Sequence, residues 1–305
     1  MEMHQLRYMV AVARTKNFSR AAEQCHVSQP SLSQQIQKLE SELGGRLFER
    51  TKREARLTPA GDVFLHRALR ILDEVGAAKR EATDASSLLR GVITLGVLPT
   101  IAPYLLPEVV KRFSNKFPGV EIVIHEDTTA RLLKLTLAYE LDFVLASHPV
   151  HHERLEIREL FTEELKLALP PTHGLVRKRT VSADDLENEK FIVMQEGHCL
   201  GDQVLRFCDG REVKPKISFR SAQLETIQSL VRAGLGISLV PAMAAPAGRK
   251  DLPIYRSFSS PSPSRKIIAA WPNHRPLSRA ANEFLKALLE VITSALPATL
   301  RVPST

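Results

Sequence analysis

Nowhere in its 305 residues does the chain gather an apolar run approaching the roughly 20 residues that a bilayer-spanning helix needs. The first twelve residues scatter Glu2, His4 and Arg7 among apolar neighbours, so the uninterrupted core of a signal peptide is missing as well. A cytoplasmic protein without a membrane partner is the expectation. Cysteine is scarce. Cys25, Cys199 and Cys208 are the whole complement, an odd number that argues against a structural disulfide framework in a reducing compartment. Any pair among them is reactive, metal-binding or simply buried. His173 and several other histidines are present, but none stands at finger-like spacing from a cysteine, so no metal and no cofactor is expected.

What the chain does have is positive charge and length. A formal net charge of +8 favours acidic partners, nucleic acid first among them, although a merely basic surface has the same charge. At 305 residues the chain is too long for one small core and suits two or three domains.

Patterning divides it. Leu6, Met9, Val10 and Ala13 share one helical face. Asn17 and Ser19 offer capping oxygens to a short helix, Ser19 to Cys25, and a turn follows at His26-Val27-Ser28. Ser28 is a good N-cap for a third helix from about Gln29 to Leu43, with Pro30 in its first turn, where a missing N–H costs little. Leu32, Ile36, Leu39 and Leu43 form its apolar face and Gly44-Gly45 ends it. Two helices joined by a tight turn, the second polar on its outer face, fit a helix-turn-helix. That outer face offers Gln29, Ser31, Ser33, Gln34, Gln37 and Lys38, and glutamine can bond an adenine edge bidentately. The next stretch, with Arg46, Arg50, Lys52, Arg53 and Arg56, reads as a two-stranded wing whose cations reach phosphates or the minor groove. A small helical bundle with a solvated basic loop is the blander reading.

Pro59-Ala60-Gly61 introduces a helix running to about residue 87, with an apolar stripe of Phe64, Ala68, Ile71, Leu72, Val75 and Ala78. The stripe must be buried, against its own domain or against a second copy; dimerisation is the expectation. From residue 88, short apolar strands alternate with helices as in an α/β fold. Gly91–Val97, Val120–His125 and Asp142–Ala146 are strands separated by helices over Pro103–Phe117 and Thr129–Tyr139, a parallel βαβαβ half-domain. A second run of strands and helices spans about Leu165 to Tyr255. The strand Ile267–Trp271 and the closing helix Ser278–Leu296 return to the first half, after a polar connector, Ser259–Ser264. The expected partition is 1–58, a winged helix-turn-helix; 59–87, a linker and dimerisation helix; and 88–305, a two-lobed regulatory domain. Lobe I takes about 88–163 and 267–305, lobe II about 164–266. A ligand is expected at the cleft between them.

Several motifs together carry a family resemblance over essentially the whole chain. They are Phe18-Ser-Arg-Ala-Ala-Glu, Val27-Ser-Gln-Pro-Ser-Leu-Ser-Gln-Gln-Ile, Leu47-Phe-Glu-Arg50 and Leu57-Thr-Pro-Ala-Gly61. The sequence resembles the LysR-type transcriptional regulators. The resemblance implies a winged helix-turn-helix, a dimerising linker helix and a periplasmic-binding-protein-like regulatory domain. It also implies a homodimer or homotetramer on double-stranded promoter DNA, contacts with RNA polymerase, and DNA-contact residues Gln29, Pro30, Ser31, Ser33, Gln34, Arg50 and Arg53. Glu196-Gly-His-Cys199-Leu-Gly-Asp-Gln-Val-Leu-Arg-Phe-Cys208 is similar to the redox segment of that family's peroxide-sensing members. This implies hydrogen peroxide as effector, activation of oxidative-stress genes, and peroxide-binding roles for Thr100, Thr129, His198, Gln203 and Arg265. One stretch departs from that pattern: Asp209-Gly-Arg-Glu-Val-Lys-Pro-Lys216 is basic where neutral or acidic residues are expected.

The cysteines support a chemistry of their own. Cys199 follows Gly197-His198 and precedes a helical run, Gly201 to Phe207, so unpaired N–H groups and a neighbouring imidazolium pull its pKa down. A thiolate attacks peroxide to give a sulfenic acid, which a second thiol converts to a disulfide; Cys208 is the candidate resolver. Nine residues along a helix put their Cα atoms about 13.5 Å apart, whereas a disulfide needs them within roughly 7 Å. The helix must therefore unwind. Two small buried hydrophobes are the alternative for this pair, and Cys25 is expected to sit inert in the DNA-binding domain. Competing functions are a LysR-type regulator gated by a small metabolite in the cleft, a thiol peroxidase, and a transport-type solute-binding protein. The helix-turn-helix opposes the last two, and the chain is not expected to be an enzyme.

Overall fold

The computed structural model describes residues 1–50, 54–83, 89, 91–211, 215–246, 248–249 and 251–295. Its contacts divide the chain into two compact units, Met1–Ser86 and Ser87–Thr305.

The first unit runs α1 (Met3–Thr15), α2 (Phe18–Gln24), α3 (Gln29–Leu43), β1 (Phe48–Arg50), β2 (Ala55–Leu57) and α4 (Pro59–Thr83). Asn17 sets the start of α2 one residue before the expected Ser19, because its side chain accepts from the Ser19 and Arg20 N–H groups at 2.9 and 3.1 Å. Ser28 caps α3 through the Ser31 N–H, and Gly44 closes it in the left-handed region at φ 73°. Leu32, Ile36 and Leu39 bury the inner face of α3 against Leu6, Met9, Ala21 and Ala22. Leu43, expected on that face, is exposed instead because it lies in the last turn, beyond the core. The wing is an antiparallel pair with Phe48 opposite Leu57. Glu40 of α3 anchors it, accepting from the Leu47 and Phe48 N–H groups at 2.8 and 3.1 Å. Gly61 lets α4 start here, since a Cβ would stand 2.0 Å from the Leu47 carbonyl oxygen. Phe64, Leu65, Ala68, Leu69, Ile71 and Leu72 of α4 pack on this unit's own core, so the first half of the stripe is covered by its own domain. Val75 is half-buried and Ala78 is exposed. The expected continuation of this helix over 84–87 lies outside the described residues.

The second unit continues with β3 (Gly91–Val97), α5 (Ala102–Lys116), β4 (Val120–Glu126), α6 (Thr129–Leu137), β5 (Phe143–Ser147) and β6 (Leu155–Leu169). Then come β7 (Thr180–Val181), β8 (Lys190–Met194), α7 (Cys199–Asp209), β9 (Lys216–Ser221) and α8 (Leu224–Arg232). It ends with β10 (Ser238–Pro241), β11 (Ile254–Phe258), β12 (Ser264–Pro272) and α9 (Arg279–Ala295). Strands β4, β3 and β5 lie side by side and parallel, the expected half-domain. β12 lies antiparallel between β5 and β6.

β6 is the spine of this unit. Through Glu164 it pairs with β12, and from Leu165 onward with β10 and β11. The apolar interior divides at the same place. One core holds Leu95, Phe113, Phe143, Phe161, Ile268 and Phe284; the other holds Leu167, Phe191, Val204, Cys208, Ile227 and Leu239. These are lobes I and II below. β8 and β9 form a separate parallel pair in lobe II.

Candidate functional site

α7 begins where the chain leaves β8. Gln195 N–H bonds back to the Ser221 carbonyl at 2.9 Å and Gly197 turns at φ +89°, a left-handed conformation that suits a residue without Cβ. His198 occupies the N-cap without its side chain capping the helix, and Cys199 is the first helical residue. Gly201 lets the helix lie directly on β8, since a Cβ there would stand 2.8 Å from the Met194 carbonyl oxygen. The helix extends two residues beyond the expected Gly201–Phe207 at each end.

Its faces go to different lobes. Leu200, Val204, Phe207 and Cys208 are buried in lobe II, whereas Cys199 packs against the core of lobe I. Gln203, one turn after Cys199 on the same face, donates through Nε2 to Ser147 Oγ at 2.7 Å and to the His148 carbonyl at 3.3 Å. Its Oε1 is buried with no hydrogen-bond partner.

Below the thiol lies a buried cation. Arg265 of β12 is directly opposite Glu163 of β6, and both side chains are fully buried. Its Nε donates to Glu163 Oε1 at 2.6 Å, Nη1 to Thr100 Oγ1 at 2.8 Å and Nη2 to the Thr100 carbonyl at 3.0 Å. The other Glu163 oxygen accepts from the Met243 N–H at 3.2 Å. A buried ion pair persists only when its remaining donors and acceptors are satisfied in this way. A threonine hydroxyl has one donor and two acceptor positions. Arg265 occupies an acceptor position on Thr100, so the Thr100 O–H remains a donor. Thr129 Oγ1, at the start of α6, is buried with no regular hydrogen-bond partner.

These groups act on Cys199 in opposite senses. Burial pushes its thiol above the ordinary value; the Arg265 charge, the Thr129 hydroxyl and the Leu200 amide pull it down, and Asp202 opposes them. The expected net depression at a helix N-terminus is therefore not found, because desolvation outweighs the cation and the amide. Burial, with the Asp209 charge, raises Cys208 to about 11. All three cysteines are free thiols, and burial also raises Cys25, half-buried beside the core of the first unit. Among the described residues no group of three or more His, Cys, Asp or Glu side chains is placed to hold a metal ion, and no helix is long and apolar enough to cross a membrane.

Thr100, Thr129, Gln203 and Arg265 thus gather around Cys199, with His198 half-buried at the helix cap, while Cys208 sits at the far end of α7. Glu163 and Ser147 belong to this constellation and were not anticipated. A signal for Glu163 existed: Phe161, Leu165 and Leu167 alternate along the buried face of β6, and Glu163 falls in that alternation. On the other unit, Gln29, Pro30, Ser31 and Gln34 are exposed on the first turns of α3 and Ser33 is half-buried. The Arg50 side chain and Arg53 lie outside the described residues.

Comparison with known proteins accounts for both units. Residues 3–62 match the model of the bacterial regulatory helix-turn-helix protein, lysR family, and residues 86–293 match the LysR substrate binding domain. The chain is 37% identical over 289 residues to the DNA-binding transcriptional dual regulator OxyR of Escherichia coli K12, covering 94% of this chain and 95% of that one. Among solved structures it is similar to a full-length OxyR from Pseudomonas aeruginosa carrying a cysteine-to-aspartate change, with TM-score 0.80, 30% identity, and 100% and 99% of the two chains covered. A cysteine-to-serine mutant of Corynebacterium glutamicum OxyR, H2O2-bound, matches with TM-score 0.63, 30% identity, and 96% and 93% coverage. With both family models matched in order along one chain, the protein belongs to the LysR family of DNA-binding transcriptional regulators.

Proposed function

We propose that this regulator senses hydrogen peroxide through Cys199 and switches transcription when Cys199 and Cys208 join in a disulfide. One observation carries the reading: a thiol at a helix N-terminus meets a buried arginine and a buried threonine hydroxyl, while a second thiol waits nine residues along the same helix. A relative from Dickeya chrysanthemi named hydrogen peroxide-inducible genes activator, 37% identical over 91% of each chain, and the H2O2-bound neighbour support it.

In this mechanism the Cys199 thiolate attacks one peroxide oxygen and the O–O bond breaks. The hydroxide that departs takes a proton and leaves as water, and Cys199 becomes a sulfenic acid. Peroxide both donates and accepts hydrogen bonds. The Thr100 and Thr129 hydroxyls can donate to it, the Gln203 Oε1 can accept, and His198 borders the site from the helix cap. Arg265 favours negative charge on the sulfur, and Glu163 and Thr100 hold it in place. Cys208 then attacks the Cys199 sulfur and a second water leaves. The event is stoichiometric, a signal rather than turnover.

The working parts are residues 1–58 for DNA binding, 59–87 for dimerisation and 88–305 for sensing. Gln29, Pro30, Ser31, Ser33 and Gln34 of α3 meet the major groove, with Arg50 and Arg53 of the wing on the backbone. The assembly is a homodimer or homotetramer on promoter DNA in the cytoplasm, in contact with RNA polymerase.

Thiol-trapping mass spectrometry before and after one equivalent of peroxide tests the reading. A Cys199–Cys208 linkage with Cys25 still alkylatable is the expected result; a Cys199 that stays fully alkylatable overturns it.

A further inference from the structure

The far end of α7 is held by more than apolar burial. Phe207 stacks edge-on against Phe258, the last residue of β11, with ring centroids 5.1 Å apart. Arg211 lies over the Phe207 ring, its guanidinium carbon 4.4 Å from the centroid. The Arg211 Nη2 donates to the Pro261 carbonyl at 3.1 Å, in the segment joining β11 to β12. The Arg211 N–H bonds back to the Cys208 carbonyl at 3.0 Å, which fixes the residue to the helix end. Phe207 is thus held by both a ring and a cation, and Cys208, its neighbour in the chain, is fully buried.

Closing a disulfide demands that Cys208 leave this place. Its Cα starts about 13.5 Å from that of Cys199 along the helix and must come within roughly 7 Å. The backbone of Cys208 cannot travel that far while Phe207 keeps its contacts with Phe258 and Arg211.

We infer that Arg211 is a positioning residue for the redox switch: by clamping Phe207 and the Pro261 carbonyl it holds the Cys208 half of α7 in the dithiol state, slowing closure and making the disulfide easier to reduce. This rests on the peroxide-sensing reading above. In the first step Cys199 reduces peroxide, with S–O bond formation, O–O cleavage and release of one water. In the second, the Cys208 sulfur attacks, S–S forms, S–O breaks, the thiol proton joins the departing oxygen, and the second water leaves. Two thiols are oxidised and one peroxide is reduced to two waters. Arg211 acts on the second step alone, because it touches the Cys208 end of the helix and none of the groups around Cys199. A cation over an aromatic face and a charge-assisted bond to a carbonyl are both lost when the side chain is replaced by an apolar one of similar length.

The test is rapid mixing of the full-length protein with peroxide, separating sulfenic acid formation at Cys199, captured by a carbon-acid trap, from disulfide closure. Equilibration of the protein against glutathione gives the potential. In Arg211→Met the first rate stays at the wild-type value and closure becomes about fivefold faster, the size of effect a cation–aromatic contact supports. The dithiol–disulfide equilibrium shifts about fivefold toward disulfide, which is about 20 mV more negative. Arg211→Lys, which keeps a cation without the planar fork, restores part of the difference. A general loosening of the fold would also change the first rate and would not be rescued by lysine. Wild-type closure and potential in Arg211→Met, with Cys199 oxidation proceeding normally, overturn the clamp and leave the peroxide reading intact. Absence of any Cys199 oxidation in the wild-type chain overturns the reading itself, and the clamp falls with it.

Discussion

The two ends of α7 treat the same functional group in different ways. At Cys199 burial raises the thiol pKa, but an arginine, a threonine hydroxyl and a backbone amide oppose it. At Cys208 burial acts with a carboxylate in the same direction, and the thiol is pushed to about 11. Cys199 faces lobe I and the buried Thr129 hydroxyl; Cys208 faces the apolar core of lobe II. In the proposed switch attacker and resolver are distinguished by surroundings, because the thiolate is the nucleophile and only at Cys199 do neighbours oppose the effect of burial. In that proposal the helix between them keeps the two chemistries apart until the first has occurred.

The largest test removes one end altogether. Cys199→Ser abolishes peroxide-dependent transcription and leaves promoter binding near the wild-type level, as a reporter assay and a mobility shift will show. Removing the other end makes the asymmetry visible: in Cys208→Ser, Cys199 still reacts at the wild-type rate but no disulfide forms. Intact-mass spectra then show the sulfur carried on to sulfinic and sulfonic acids. Equal loss of reactivity in both variants breaks the comparison.

Smaller effects follow from the packing between the ends. Gly201→Ala drives a Cβ into the Met194 carbonyl of β8. It should cost about 1–3 kcal/mol, typical of over-packing, seen as a lower denaturation midpoint of the reduced protein. Thr129→Val removes the hydroxyl that favours the Cys199 thiolate and should slow sulfenic acid formation by about threefold to tenfold, with closure unchanged. The pH dependence has a definite sign. Because Cys199 is raised above its ordinary value, its thiol form predominates at neutral pH, and the oxidation rate climbs about tenfold per pH unit through pH 7 to 8. For stability, the raised pKa of Cys208 matters in a higher window. An unfolded thiol ionises near 9.0 and the buried one near 11, so its contribution to the reduced fold is complete below the first value and lost toward the second.

Much of this architecture was legible in the sequence because it depends on local chemistry. The Ser28 cap, the apolar face of α3 as far as Leu39 and the Gly44 stop form where expected. So do the parallel strands β3, β4 and β5. The helical separation of Cys199 from Cys208 was equally legible. What was not legible is long-range. Arg265 reads from sequence as readily as a surface ion pair as a site residue, and its burial depends on β12 lying opposite β6, which brings Glu163 beside it across 102 positions of chain. Ser147 joins the site only because Gln203 reaches the end of β5. The thiol pKa departs from the sequence expectation for the same reason, since the helix N-terminus is visible in the sequence and the depth of burial is not.

In the proposed switch Cys199 and Cys208 cannot join while α7 remains a helix. Amide hydrogen exchange across residues 199–209, before and after one equivalent of peroxide, tests it most directly. The expected result is protected amides in the dithiol protein and loss of protection in step with disulfide formation. A disulfide formed while those amides stay protected would contradict it.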